Sequence, residues 1–160
     1  MKYKKPVIKQ LAEMTFVGFR VQCEGSRYIH EIPKASAELD RRKNEIAHLV
    51  SPLEQFGAFV VDEETAEEEG YWVGFPVHTL DKIPEGMVSL TIPDQTYASL
   101  PIAGNNEQIV PAYEFLQQWM EKHGYPRLLN KWHVEKYTKW GSADYVEVEL
   151  LDTTETEHKH

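Results

Sequence analysis

One short stretch, Trp132-His133-Val134-Glu135-Lys136-Tyr137, gathers residue types able to do chemistry. It reads as a β-strand, so His133, Glu135 and Tyr137 share one face and Trp132, Val134 and Lys136 the other. A carboxylate is thereby placed between two rings. It could bind a cation, act as a general acid or base, or simply lie on a solvated sheet face. The elements in front of the strand decide between these. A zinc reading would need partners for His133. His30, His48, His78 and His123 show no His-x-x-x-His spacing, so His133 is expected to be a satisfied or solvent-facing histidine, with no metal bound and no cofactor. His158 and His160 fall in the tail. Ser26, Ser51, Ser89, Ser99 and Ser142 lack a Gly-x-Ser-x-Gly context, and no glycine-rich phosphate loop with Lys-Ser/Thr is present.

The strand must be held by a folded unit, and the chain has the means to make one. At 160 residues it fits one ordinary domain or two half-domains sharing a core. Its 41% apolar and 27% charged residues lie well away from the disordered signature. A formal net charge of −9 argues against a nucleic-acid groove, which needs a basic stripe, and favours a neutral or cationic partner. The single Cys23 leaves no internal disulfide; it alternates in phase with Val17, Phe19 and Val21 and is expected to be a small buried hydrophobe. With no signal-like or membrane-spanning apolar run, the expected location is the cytoplasm, with no membrane partner.

Strands are expected at Val7 to Leu11, Thr15 to Glu24, Phe56 to Val61, Tyr71 to His78, Met87 to Ile92, Tyr97 to Ile102, Trp132 to Tyr137 and Tyr145 to Leu151. A first helix is expected over about Ser36 to Val50, after a loop containing Pro33, with Ser36 as N-cap and Leu39, Ile46, Leu49, Val50 and Leu53 as its stripe. A second is expected over about Glu107 to His123, capped by Asn105 or Asn106 and stopped by Gly124. The carboxylates from Asp62 to Glu69 read as a solvated turn.

The two halves share one grammar of strand, helix and hairpin. Thr15 to Gly25 corresponds to Thr96 to Gly104, Leu39 to Val50 to Ile109 to Met120, and Phe56 to Val77 to Trp132 to Leu151. This is a duplication, with a period too long for a solenoid. Duplicated α+β units usually pair about a pseudo-two-fold axis, and ligand sites favour the cleft where they meet.

The same residues carry a resemblance. Thr15-Phe16-Val17-Gly18, Ile32-Pro33, Tyr71-Trp72-Val73-Gly74, Ile83-Pro84-Glu85-Gly86-Met87, Ile92-Pro93 with Tyr97-Ala98, Trp119 before Gly124-Tyr125, and Glu135-Lys136-Tyr137 occur in an order that resembles the GyrI-like, or bacterial effector-binding, domain of AraC- and MerR-type multidrug-responsive regulators. The resemblance covers about Val7 to Leu151. It implies an α+β fold of two strand–helix–two-strand modules, with a curved antiparallel sheet, two helices behind it and a pocket on the concave side between the modules. It implies a single effector-binding domain over 1–152 (module one about 7–80, module two about 87–151) and a polar tail at 153–160. It also implies a pocket glutamate that neutralises a lipophilic cation, at the position of Glu135. The aromatic lining maps to Trp72, Tyr97 and Tyr137, with Trp119 or Tyr113 reaching in from the second helix and Phe19 as a further candidate. No helix-turn-helix is visible in this sequence, so the chain reads as the sensor module alone, without direct nucleic-acid binding.

Three functions follow as expectations. The first is a stand-alone binder of a hydrophobic, aromatic or cationic small molecule, serving transcription regulation or drug sequestration. The second is a hydrolase of reactive electrophilic natural products, with Glu135 as general base assisted by Tyr97 or Tyr137. The third is a protein-interaction module, such as a gyrase modulator.

Overall fold

The computed structural model describes residues 3–155. His158 and His160 lie outside them. The eight strands are β1 (Val7–Leu11), β2 (Met14–Val21), β3 (Gln55–Val60), β4 (Tyr71–Pro76), β5 (Val88–Ile92), β6 (Gln95–Gly104), β7 (Trp132–Lys139) and β8 (Val146–Thr154). The helices are α1 (Tyr28–Arg41) and α2 (Ile109–Lys122). All strands join one antiparallel sheet in the order β1-β6-β8-β7-β3-β4-β2-β5.

That order carries the duplication. Outward from the centre the strands run β3-β4-β2-β5 on one side and β7-β8-β6-β1 on the other. The two halves therefore have equivalent strand order, and each first strand is exchanged: β1 adds to the edge of the second half and β5 to the edge of the first.

The connections force the sheet to curl. In a flat sheet β1 and β2 would lie six strand spacings apart, about 29 Å. They are joined only by Ala12 and Glu13, a link that spans at most about 11 Å. The β5–β6 link, Pro93-Asp94, is equally short across an equal number of strands. The face inside the curl is filled by Phe16, Phe56, Ala58, Trp72, Ile92, Tyr97, Val134 and Leu151, with Leu11 of β1 packed against them, so one apolar cluster draws on all eight strands. The other face carries the helices. Leu39 of α1 packs with Val17, Val73 and Phe75, while Ala112, Leu116 and Met120 of α2 pack with Ala98, Leu100, Val148 and Leu150. Because α1 lies over β2 and β4 and α2 over β6, the central strands β3 and β7 are left between them.

Three local expectations are corrected. The first helix lies eight residues earlier than its apolar stripe suggests, with Pro33 inside it. The stripe is shared instead between α1, a short 3-10 turn at Lys43–Glu45 and the irregular chain after it, where Ile46, Leu49 and Leu53 still reach the cluster under α1. Burial of these side chains, not a continuous helix, produces the spacing. Cys23 lies beyond the end of β2 and is half-buried. At the C-terminus, β8 takes in Thr153 and Thr154, which were expected in the tail. Both are buried, paired with Tyr97 and Thr96, and their hydroxyls donate to the carbonyls of Trp132 and Pro126.

The second helix meets expectation: the Asn105 side chain accepts from the Glu107 N–H, and Gly124 has the positive φ of a helix stop. The acidic connection between β3 and β4 is tied down by Arg20, which donates to the carbonyls of Ala66 and Glu69.

Candidate functional site

A cavity of about 490 Å³ opens on the helix face, over the gap between α1 and α2. It lies outside the curl, not on the concave side where the pocket was expected, because side chains from all eight strands fill the inner face. Volume alone does not single it out, since hollows of about 450, 470 and 370 Å³ occur elsewhere on the surface. What distinguishes it is a buried carboxylate in its floor.

The floor is built from strand register. Glu135 of β7 sits opposite Gly57 of β3, which in turn sits opposite Val73 of β4. Alternation gives all three the helix face. Tyr71, two residues before Val73, shares that face and lies diagonally across Gly57. A Cβ at Gly57 would stand 1.7 Å from the Tyr71 hydroxyl oxygen, so the missing side chain is the space the phenol occupies. Phe59 backs this ring, with centroids 6.0 Å apart.

Three phenols converge on the carboxylate. Tyr71 donates to Glu135 Oε1 at 2.7 Å, Tyr113 of α2 to Oε2 at 2.7 Å, and Tyr137 to Oε1 at 3.5 Å. Glu135 retains only 8% exposure. Hydrogen bonds to an ionised acceptor are the strong kind, and together they hold the carboxylate in one orientation. Burial, and then the adjacent Glu135 charge, push the Tyr71, Tyr113 and Tyr137 hydroxyls well above the usual phenol range. They therefore stay protonated as donors at neutral pH.

Apolar and polar walls rise from this floor. Ile32, Pro33, Ser36 and Asp40 come from α1, Ile109 and Val110 from the start of α2, and Trp140 to Ala143 from the turn after β7. Ile29 and Val110, among the most exposed large apolar residues, flank the mouth. Ser36 holds α1 to the sheet: its hydroxyl donates to Gln55 Oε1 at 2.5 Å.

The structure brings Glu135, Tyr137 and Tyr113 together. Tyr113 reaches the carboxylate from the side, without forming cavity wall. Trp72 lies elsewhere, inside the curl, edge-on to Trp132 at 5.1 Å and beneath the Arg20 guanidinium at 4.6 Å. Tyr97 is fully buried inside the curl as well, its oxygen accepting from Gln95 Nε2; burial pushes its hydroxyl up to about 12. The set Glu135, Tyr97 and Tyr137 is therefore not assembled, because β6 turns Tyr97 to the opposite sheet face. Trp119 stacks with His123 and Tyr125 near the end of α2. Phe19 shares Val73's face but lies one strand too far out, under Arg42, beside a separate groove. The residues not singled out from sequence are Tyr71, Gly57, Asp40 and Trp140. Tyr71 was legible as a partner of Val73 on one strand face; what could not be read was that this face meets Glu135.

His133, on the same β7 face, bonds instead to the buried Asp152 at 3.1 Å, and Arg127 donates to the same carboxylate at 3.1 Å. Burial alone would raise the Asp152 carboxyl, but His133 and Arg127 outweigh it and hold the group below the ordinary range. Among the described residues no group of three or more His, Cys, Asp or Glu is arranged to hold a metal ion, and no helix is long and apolar enough to cross a membrane.

This fold has known counterparts. The chain belongs to the family of integron-associated effector-binding proteins, Cass2, which it matches over residues 7–151. Among solved structures it is similar to the C-terminal domain of EcmrR (24% identity, 98% of this chain and 100% of that one, TM-score 0.66). In the EcmrR–DNA complex the match spans 96% of this chain but 58% of the EcmrR chain, at 23% identity and TM-score 0.66. It is also similar to an integron cassette protein from the mobile metagenome of Vibrio cholerae (17% identity, 94% and 97% covered, TM-score 0.53). A further counterpart is SAV2435, solved bound to tetraphenylphosphonium (12% identity, 98% and 95% covered, TM-score 0.62). No curated protein matches it in sequence. The fold is thus the GyrI-like effector-binding fold, and a small-molecule-binding role follows from the family.

Proposed function

We propose that the protein captures a lipophilic cation on the helix face, with Glu135 as the counter-charge and Tyr71 and Tyr137 as ring surface. The observation that carries this is the buried Glu135 carboxylate, oriented by three phenols at the floor of an otherwise largely apolar cavity. A desolvated cation gains from the carboxylate and from the ring faces together. The tetraphenylphosphonium bound by SAV2435 supports the ligand class. Two outputs suit such capture: sequestration of the compound, and reporting its presence to transcription, which the DNA-bound EcmrR neighbour supports.

Titrating tetraphenylphosphonium while following tryptophan fluorescence tests the reading, because Trp140 lines the cavity. At about 5 Å and an effective dielectric near 20, the carboxylate contributes about 3 kcal/mol. Glu135→Gln should therefore weaken binding by roughly 100-fold. Equal affinity in both proteins would remove the proposal. Consumption of excess electrophilic ester would instead point to hydrolysis.

A further inference from the structure

The cavity holds a second carboxylate that the capture of a single positive charge does not use. Among the described residues lining it, Glu135 and Asp40 are the only charged ones, and no lysine or arginine joins them. Asp40 lies at the C-terminal end of α1. Trp140 Nε1 donates to its Oδ1 at 3.3 Å, so a carboxylate and an indole ring stand side by side on the wall, the pairing that suits a cation. Lys43 approaches the same oxygen at 3.3 Å from outside the cavity. That pair is substantially exposed on both sides, and such pairs exchange readily.

The spacing follows from the elements. Gln55 is two residues along β3 from Gly57, the neighbour of Glu135, which is about 7 Å. Ser36 sits on Gln55, and Asp40 is one turn further along α1, about 6 Å. The Trp140 bond fixes that step as leading away from Glu135, because Trp140 lies just past the end of β7, beyond Tyr137, the partner of Gln55. The two carboxylates are therefore on the order of 10 Å apart.

We infer that the cavity selects dications: one positive centre against Glu135 in the floor, an apolar linker along the wall, and a second centre beside the hydrogen-bonded Asp40–Trp140 pair. The inference rests on the capture reading above and sharpens its ligand class to bis-cationic amphiphiles with charges about 10 Å apart. The second centre displaces Lys43 from Asp40.

The test compares 1,8-bis(trimethylammonium)octane with octyltrimethylammonium by calorimetry, with 1,4-bis(trimethylammonium)butane as the short control. The mono-cation is the more apolar of the long pair, so a preference for the bis-cation reports the second charge. Wild type should bind the long bis-cation about 10-fold more tightly than the mono-cation, and the short one no better than the mono-cation. Asp40→Asn, which keeps an acceptor for Trp140, should abolish that preference by weakening the long bis-cation far more than the mono-cation, which feels Asp40 only from a distance. Lys43→Gln should increase the preference, an effect no structural role of Lys43 would give. If Asp40→Asn weakens both long compounds alike, or neither, the inference is overturned while the Glu135 reading stands. If neither long compound binds, or Glu135→Gln leaves mono-cation binding intact, both fail.

Discussion

Adding one methyl group at Gly57 should disorganise the floor of the cavity, and the effect should reverse sign when Tyr71 is absent. A Cβ there would lie 1.7 Å from the Tyr71 oxygen and 2.4 Å from its Cζ, far inside contact distance, so the ring must leave. Leaving breaks the 2.7 Å bond to Glu135, a charge-assisted bond worth about 1.5–3 kcal/mol, and uncovers a buried carboxylate. Against this, alanine in a strand interior is favoured over glycine by about 0.5–1 kcal/mol. Gly57→Ala should therefore cost about 1–2 kcal/mol in urea unfolding. Tyr71→Phe keeps Cζ and so keeps the clash, whereas Tyr71→Ala removes it. In the Tyr71→Ala background, Gly57→Ala should be neutral or stabilising. A cost equal in both backgrounds would show that the glycine serves something other than room for the phenol.

Other consequences follow from the same geometry. Trp72→Phe, inside the curl, should lower stability by about 1–2 kcal/mol but leave tetraphenylphosphonium affinity within twofold; a large loss of affinity would place the ligand on the wrong face here. Asp152→Asn should destabilise by about 3 kcal/mol, because Arg127 and His133 lose a buried partner; urea unfolding at pH 7 reads this. Tyr71, Tyr113 and Tyr137 have folded pKa values raised above the unfolded value near 10, so the stability they contribute is complete below pH 10 and is lost as pH climbs above it. Absorbance at 295 nm should show these phenols ionising only together with alkaline unfolding; earlier ionisation in a folded protein would contradict their burial.

Regular alternation made most strands readable, and paired cap and stop residues made α2 readable. The first helix was not, because Pro33 signals a break that tertiary packing overrides, and because Ile46 and Leu49 keep helical spacing while lying in irregular chain. The site divides along the same line. The Glu135 and Tyr137 face follows from local alternation. Whether Tyr71 or Trp72 meets that face depends on β4 pairing with β3, and β3 with β7, a register set by residues far apart in sequence. Tyr97 and Trp72 have the expected aromatic character, but the curl turns both into the opposite core. Gly57 carries no signal of its own: its use appears only once Tyr71 lies over it.

The most direct measurement is the structure of the protein with tetraphenylphosphonium bound. The phosphorus should lie on the helix face within about 6 Å of the Glu135 carboxylate, a separation at which the opposite charges still interact strongly, with phenyl groups against Tyr71, Tyr137 and Trp140. A cation found instead in one of the surface grooves, or inside the curl beside Trp72 and Tyr97, would contradict it.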